Sequence, residues 1–255
     1  MSNQISTPTD SYSPSGVRGK FILHKSETRG HANHGWLNTH HTFSFANYYN
    51  PERVHFGTLR VLNDDWIAGG EGFGKHPHDN MEIITIPLKG GVEHQDSMGN
   101  KGVIKAGEVQ VMSAGTGIFH SEFNANPDTA LELLQIWVFS NKKNVTPRYQ
   151  QMTLADLQKP NELYQILSPS ADDAGVWIHQ NAWFHLGDLS AGWEGSYTLK
   201  NPQSGVYVFI IEGDAAVAGI ELSRRDGLGI TDVQEIQIAA KSDTKILIME
   251  VPMTV

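Results

Sequence analysis

From Gly57 onward the apolar residues come in short runs, each broken by Gly, Pro, Asn or Asp. In the first half the runs are Thr58–Leu62, Glu82–Leu88, Val92–His94, Val109–Met112 and Leu131–Phe139. Runs of this length, rich in Val, Ile, Leu and aromatic residues and bounded by turn formers, predict β-strands. Leu131–Phe139 is apolar at positions of both parities, as expected of a strand covered on both faces. The second half repeats the pattern at Gly175–Ile178, Trp183–Leu186, Gly195–Leu199, Val206–Ile211, Ala215–Ala218, Glu235–Ile238 and Lys245–Val251. Ile211-Glu-Gly-Asp214 predicts a hairpin, and Arg225-Asp-Gly-Leu-Gly229 a tight turn. Residues 18–50 show no clear period and read as a short strand followed by irregular structure. Met152–Gln158 is the best short-helix candidate.

Many short strands at regular spacing predict an all-β fold of sandwich or barrel type. Two halves of similar length suggest a duplicated architecture: a polar tail over 1–17, an N-terminal barrel over 18–145 and a C-terminal barrel over 146–255, joined by a short helical connection. At 255 residues, each half is large enough to bury its own core.

Two short patterns change this picture from shape to chemistry: His76-Pro-His78 and His120-Ser-Glu122. In a strand, residues i and i+2 lie on one face, roughly 6.5–7 Å apart, so each pair aims two metal-ligating groups the same way. Facing each other, the strands present three imidazoles and a carboxylate. That set suits a first-row transition metal and is too rich in nitrogen for Ca or Mg. The chain has no cysteine, which excludes disulfides, thiol catalysis and sulfur-ligated metal sites. Lys and Arg number 19 against 28 Asp and Glu, a formal charge of −9, so the global field favours neither nucleic acid nor an anionic membrane. No apolar run approaches the ~18 residues of a membrane span, and the N-terminal residues have no basic, apolar leader pattern. The expected location is the cytoplasm.

Gly70, His76, His78 and Glu82 fit the first motif of the cupins, with the closing glycine one place late at Gly90. Gly107, Gly115, His120 and Asn124 fit the second motif more loosely, with Ser113 in place of its proline. The blocks HPHDNMEIITIPLKGGVEHQDSMGN (76–100) and AGEVQVMSAGTGIFHSE (106–122), with HHTFSFA (40–46) before them, resemble the pirin family. The resemblance is strongest over residues 20–140 and implies a tandem of two cupin barrels of the double-stranded β-helix, or jelly-roll, type. It implies one metal per chain in the first barrel, held by His76, His78, His120 and Glu122. Fe(II) is the expected ion, with Mn, Co, Ni, Cu or Zn as alternatives. Other cupins use the position of Glu82, so two glutamates compete for one place. Parity with His120 favours Glu122, leaving Glu82 a supporting or structural role. The second half has no H-x-H or H-x-E, only a lone imidazole at His185, and is expected to be metal-free.

The activity implied by the resemblance is that of a flavonol dioxygenase, usually called quercetin 2,3-dioxygenase, which cleaves the flavonol ring with O2 and releases CO. Glu122 would be the catalytic base, with a flavonol-like aromatic and O2 as partners. The alternative is a metal-binding regulatory protein of the kind described for eukaryotic members, acting through a protein partner. His94 is read as a pocket or hairpin residue, and His40 and His41 as structural. His24, His31, His34, His55 and His179 carry no assigned role. Gly115 and Gly117 are expected to shape the turn that delivers His120 and Glu122 inward.

Overall fold

A computed structural model describes residues 10–12, 16 and 18–255. The expected polar tail over 1–17 lies largely outside the described residues. Within it, Asp10–Tyr12 forms a strand antiparallel to Arg18–His24.

The chain divides into two compact units. One comprises 29–157, 166–182 and 254–255, and the other 1–28, 158–165 and 183–253. Each thus gathers segments distant in sequence, where the sequence reading cuts the chain once, at 145/146. Arg18–His24 illustrates why: it pairs with Gly227–Thr231, far along the chain.

The first unit is a two-layered β structure. Its larger sheet has seven strands in the order Arg148–Thr153, Glu108–Ser113, Met81–Lys89, Leu131–Phe139, Leu59–Ile67, Leu37–His41 and Gly30–Asn33. Its smaller sheet has four, in the order Gly72–His78, Ile118–Asn124, Gly91–Asp96 and Lys101–Lys105. One core cluster joins Leu37, Ile67, Leu131 and Leu133 of the larger sheet to Val92 and Ile104 of the smaller. Each such side chain withdrawn from water contributes about 1.5–3 kcal/mol before entropy is counted. Leu131–Phe139 has partner strands on both edges, and its buried side chains are of both parities, Leu131 and Leu133 on one and Leu134, Ile136 and Val138 on the other, as its apolar content predicts.

In the second unit, Ser204–Glu212 lies between Gly227–Thr231 and Thr244–Pro252, and the latter also pairs with Trp183–Leu189. Its four-stranded sheet runs Glu194–Thr198, Glu235–Ala240, Ala215–Val217, Ile220–Leu222. This is the same sequence-order pattern as the small sheet of the first unit: first strand, last strand, second, third. The strands in the places of the H-x-H and H-x-E strands read Glu-Gly-Ser-Tyr-Thr and Glu-Ile-Gln-Ile-Ala-Ala, without a histidine.

Three local expectations change. No helix forms at Met152–Gln158: Arg148–Thr153 is a strand paired along Glu108–Ser113, followed by a turn closed by Leu157 N–H on the Leu154 carbonyl at 3.0 Å. Helix-forming residues there yield to a sheet edge that offers unmet backbone groups, a tertiary override of local propensity. The connection between the halves is therefore not helical, and among the described residues the one helical segment is a 3-10 turn at Ser26–Thr28. The stretch read as irregular contains two further strands, Gly30–Asn33 and Leu37–His41. No helix is long and apolar enough to cross a membrane, among the described residues.

Candidate metal centre

Gly72–His78 sits at the edge of the small sheet, with a single neighbour, Ile118–Asn124. An edge strand tolerates proline, so Pro77 can separate the two histidines while its ring faces outward. Along Ile118–Asn124 burial alternates strictly: Ile118, His120, Glu122 and Asn124 are buried, whereas Phe119 and Phe123 are exposed. A period of two thus places His120 and Glu122 on the inner face. Register then matters. His120 lies directly opposite His76, and the ring centroids of His76 and His120 are 4.3 Å apart. His78 completes the triangle, 4.9 Å from each of the other rings.

The structure gathers two ligand groups, each with its donor atoms within 4.8 Å of one another: His76, His78 and His120, and His94, His120 and Glu122. His120 belongs to both. Glu122 therefore shares a group with His120 and His94, and a cavity wall with His76 and His78. Glu82 is elsewhere. It is fully buried, but its carboxylate accepts a 2.6 Å hydrogen bond from Ser113. Three residues on, and therefore on the opposite face of the same strand, the Thr85 hydroxyl reaches Glu122 at 3.2 Å. Parity alone separates the two glutamates. Burial pushes the Glu82 carboxyl up, against hydrogen bonds led by Ser113.

His78 and His120 are held neutral. Burial, then the neighbouring His76, His78 and His94, push His120 down to about 2, and burial with His76 takes His78 down to about 4. Near pH 7 these rings offer lone pairs, which metal ligation requires. His76 Nδ1–H donates to the Gly74 carbonyl at 2.8 Å, leaving Nε2 free to ligate. His120 is 1% exposed and neither ring nitrogen has a hydrogen-bond partner. Two orphaned nitrogens on a buried ring are costly unless something binds them, and a cation held with His76 and His78 would take up one of the two. The residues present fit a transition metal.

Glu122 is 3% exposed, and burial raises its carboxyl to about 7 even though Thr85 and Gln135 hydrogen bonds oppose the shift. Gln135 Nε2 donates to it at 2.9 Å. His94, directly across the ladder from Glu122, is fully buried. Its Nε2–H points to Asp96 at 3.3 Å, so Nδ1 keeps a lone pair without a partner. The signal in the sequence was His94-Gln-Asp96, a third i,i+2 pair. It became readable once register placed it opposite Glu122 and His120. The other histidines are used elsewhere: His41 donates to Asn63 at 2.9 Å, His40 stacks on His31, and His55 bonds the Gly57 carbonyl. His24 lies 2.8 Å from the Tyr207 hydroxyl, and burial lowers His179. Burial takes His185 down to about 4. Asn124, of the loosely matched motif, donates to the carbonyls of Ile67, Ala68 and Thr129 and so ties strand to loop.

The turn before His120 depends on Gly115. Its φ is +48°, and an added Cβ would collide with the Val145 carbonyl, which already accepts a hydrogen bond from Thr116. Gly115→Ala is expected to destabilise this unit by about 2–4 kcal/mol, measured by denaturant titration, and to lower bound metal. Gly117, at φ +127°, has open space around the Cβ position, so strain there is conformational only.

A cavity of about 420 Å3 opens onto His76, His78 and Glu122, walled by Trp36, Phe45, Phe73 and Trp137. This volume lies in the range of small-molecule sites, and its aromatic walls suit a flat apolar ligand.

Residues 23–138 match the family model described as Pirin, and residues 165–251 that of the quercetinase C-terminal cupin domain. A protein of Escherichia coli (strain K12) named quercetin 2,3-dioxygenase is 45% identical over 90% of this chain and 98% of its own length. A pirin-like protein of Caulobacter vibrioides is 40% identical over 87% of this chain and 95% of its own. The solved structure of the Escherichia coli bacterial pirin YhhW in complex with nickel(II) superposes with a TM-score of 0.86 at 43% identity, covering 92% of this chain and 100% of that one.

Proposed function

The chain belongs to the pirin family, as a tandem of two cupin domains, and on that premise we propose that it is a metal-dependent dioxygenase that opens a flavonol ring with O2 and releases CO. The observation that carries the reading is the aromatic-walled cavity that reaches His76, His78 and the buried carboxyl of Glu122, with His120 converging on the two histidines.

His76, His78 and His120 would hold the metal with Glu122, and the second unit would hold none. In support, both ligand groups found among the described residues lie in the first unit. Fe(II) is the expected ion, with Mn, Co, Ni, Cu or Zn able to use the same donors. When bound, the metal supplies Lewis acidity to the flavonol 3-hydroxyl and a partner for O2 chemistry. The protein does the rest. Trp36, Phe45, Phe73 and Trp137 align a flat polycyclic substrate and exclude water. Glu122 takes the 3-hydroxyl proton and returns it to the carboxylate freed in the product. Burial raises this carboxyl in the metal-free chain, and a bound cation would return it to the ionised, proton-accepting form. Gln135 and Thr85 hold it in place. In sum, flavonol and O2 give the ring-opened ester acid and one CO, with atoms conserved.

The test combines elemental analysis with quercetin turnover under air and under nitrogen, reading headspace CO. One metal per chain and O2-dependent CO are expected. One metal per chain without CO would overturn the enzyme reading in favour of a metal-bearing interaction protein. Two metals per chain would overturn the metal-free second unit.

A further inference from the structure

Outside the metal site, Asp65 is the acid whose placement is hardest to explain as structure. It lies on Leu59–Ile67, opposite Thr39 and Leu133 in the ladder. Burial on this strand places Asn63, Asp65 and Ile67 inside, while Arg60, Asp64 and Trp66 are less covered. Asp65 thus stands beside the apolar cluster of Leu37, Ile67 and Leu133. It is 5% exposed, and Thr39 is its side-chain hydrogen-bond partner, but Oδ1 is buried with no partner at all.

A second cavity of about 380 Å3 lies beside the first, and the two share Phe45, Asn63, Asp65 and Phe73 as walls. The second cavity adds His31, His34, His41 and Tyr48. Asn63, held by His41, and Asp65 are thus the polar groups common to both, on a wall otherwise aromatic. An orphaned carboxylate oxygen on an apolar wall is the arrangement that selects a ligand hydroxyl, because an analogue lacking it leaves the acid unpaired.

We propose that the two cavities are lobes of one binding site and that Asp65, supported by Asn63, is its specificity-determining anchor for a phenolic hydroxyl other than the 3-hydroxyl. This rests on the aromatic-substrate reading above: a flavonol has a fused bicycle and a pendant aryl ring, one for each lobe. The ligand class is then a polyhydroxylated diaryl compound rather than any flavonol.

The experiment compares quercetin with a flavonol carrying only the 3-hydroxyl, on the metal-loaded full chain. It reads equilibrium Kd by quenching of tryptophan fluorescence together with KM and kcat. Wild type is expected to favour quercetin by about 10–100-fold in Kd and in kcat/KM. Asp65→Val should collapse that ratio towards one, through KM rather than kcat, and Asp65→Asn should retain part of it. The ratio is taken within one preparation, so partial misfolding of the valine variant cancels, and the near-isosteric asparagine variant supplies a second reading. A ratio unchanged in both variants overturns the anchor. Failure of the wild type to turn over either flavonol, with the Kd ratio still dependent on Asp65, would sink the oxygenase reading and leave the anchor standing.

Discussion

His120→Ala is expected to empty the metal site and abolish turnover. Changes to groups that merely orient a ligand already cost about 10–100-fold in metal affinity, and His120 is itself the residue common to both ligand groups. Its removal leaves His76 and His78 without the imidazole opposite, so the loss should exceed 100-fold, read as metal retained after dialysis and as CO released. The fold should survive. The ring removed has no hydrogen-bond partner on either nitrogen, so the metal-free variant loses packing but strands no polar group. A control, His55→Ala, breaks a hydrogen bond to the Gly57 carbonyl outside both groups and should keep one metal per chain. Full metal content in His120→Ala would remove this centre from consideration.

Glu122→Gln should make the metal-free protein more stable while destroying activity. Below about pH 4.5 Glu122 is protonated in folded and unfolded chains alike and costs nothing. As pH rises from 4.5 towards about 7, the unfolded chain ionises while the folded one holds its proton, so stability falls. Above about 7 the whole cost is present, about 3 kcal/mol at roughly 1.4 kcal/mol for each tenfold change. The glutamine carries no such cost. Its metal-free transition should therefore lie several degrees above that of the wild type at pH 8, and the two should converge by pH 4.5. His78 and His120 act in the opposite sense: their stability contribution is complete above pH 6.5 and is lost as pH falls towards about 4 and about 2. Both proteins share those histidines, so the difference between the curves isolates Glu122. A metal ion restores the carboxylate and should narrow the gap. Turnover should fall by about 100–10,000-fold with the loss of the base. Parallel pH–stability curves would refute the burial argument, and full turnover in the variant would remove the base role.

The helix expected at Met152–Gln158 and the second glutamate, Glu82, show where reading the chain alone reached its limit. Leu154, Ala155 and Gln158 favour a helix locally, yet Val109 and its neighbours offer backbone partners to the preceding residues, and the chain takes the strand. Glu82 stands where other cupins place a ligand, but it faces Ser113 on the opposite side of its strand from Thr85. Asp65 carried no distinguishing local signal, and the pair His94/Asp96 had a signal that register alone made readable. Each gains its place from register with residues far away, Glu122 in one case and Thr39 in the other.

What the sequence by itself determined was therefore what has a clear short period: most of the strands from Thr58 onward, and the two pairs His76/His78 and His120/Glu122. Side chains alternate faces along any strand whatever it pairs with, and that alternation is local. The tertiary structure alone decided which faces meet. It set His76 opposite His120, His94 opposite Glu122 and Asp65 on a wall between two cavities. The physical reason is that register is fixed by burying one face of every strand at once, so the environment of each inward polar group depends on partners distant along the chain.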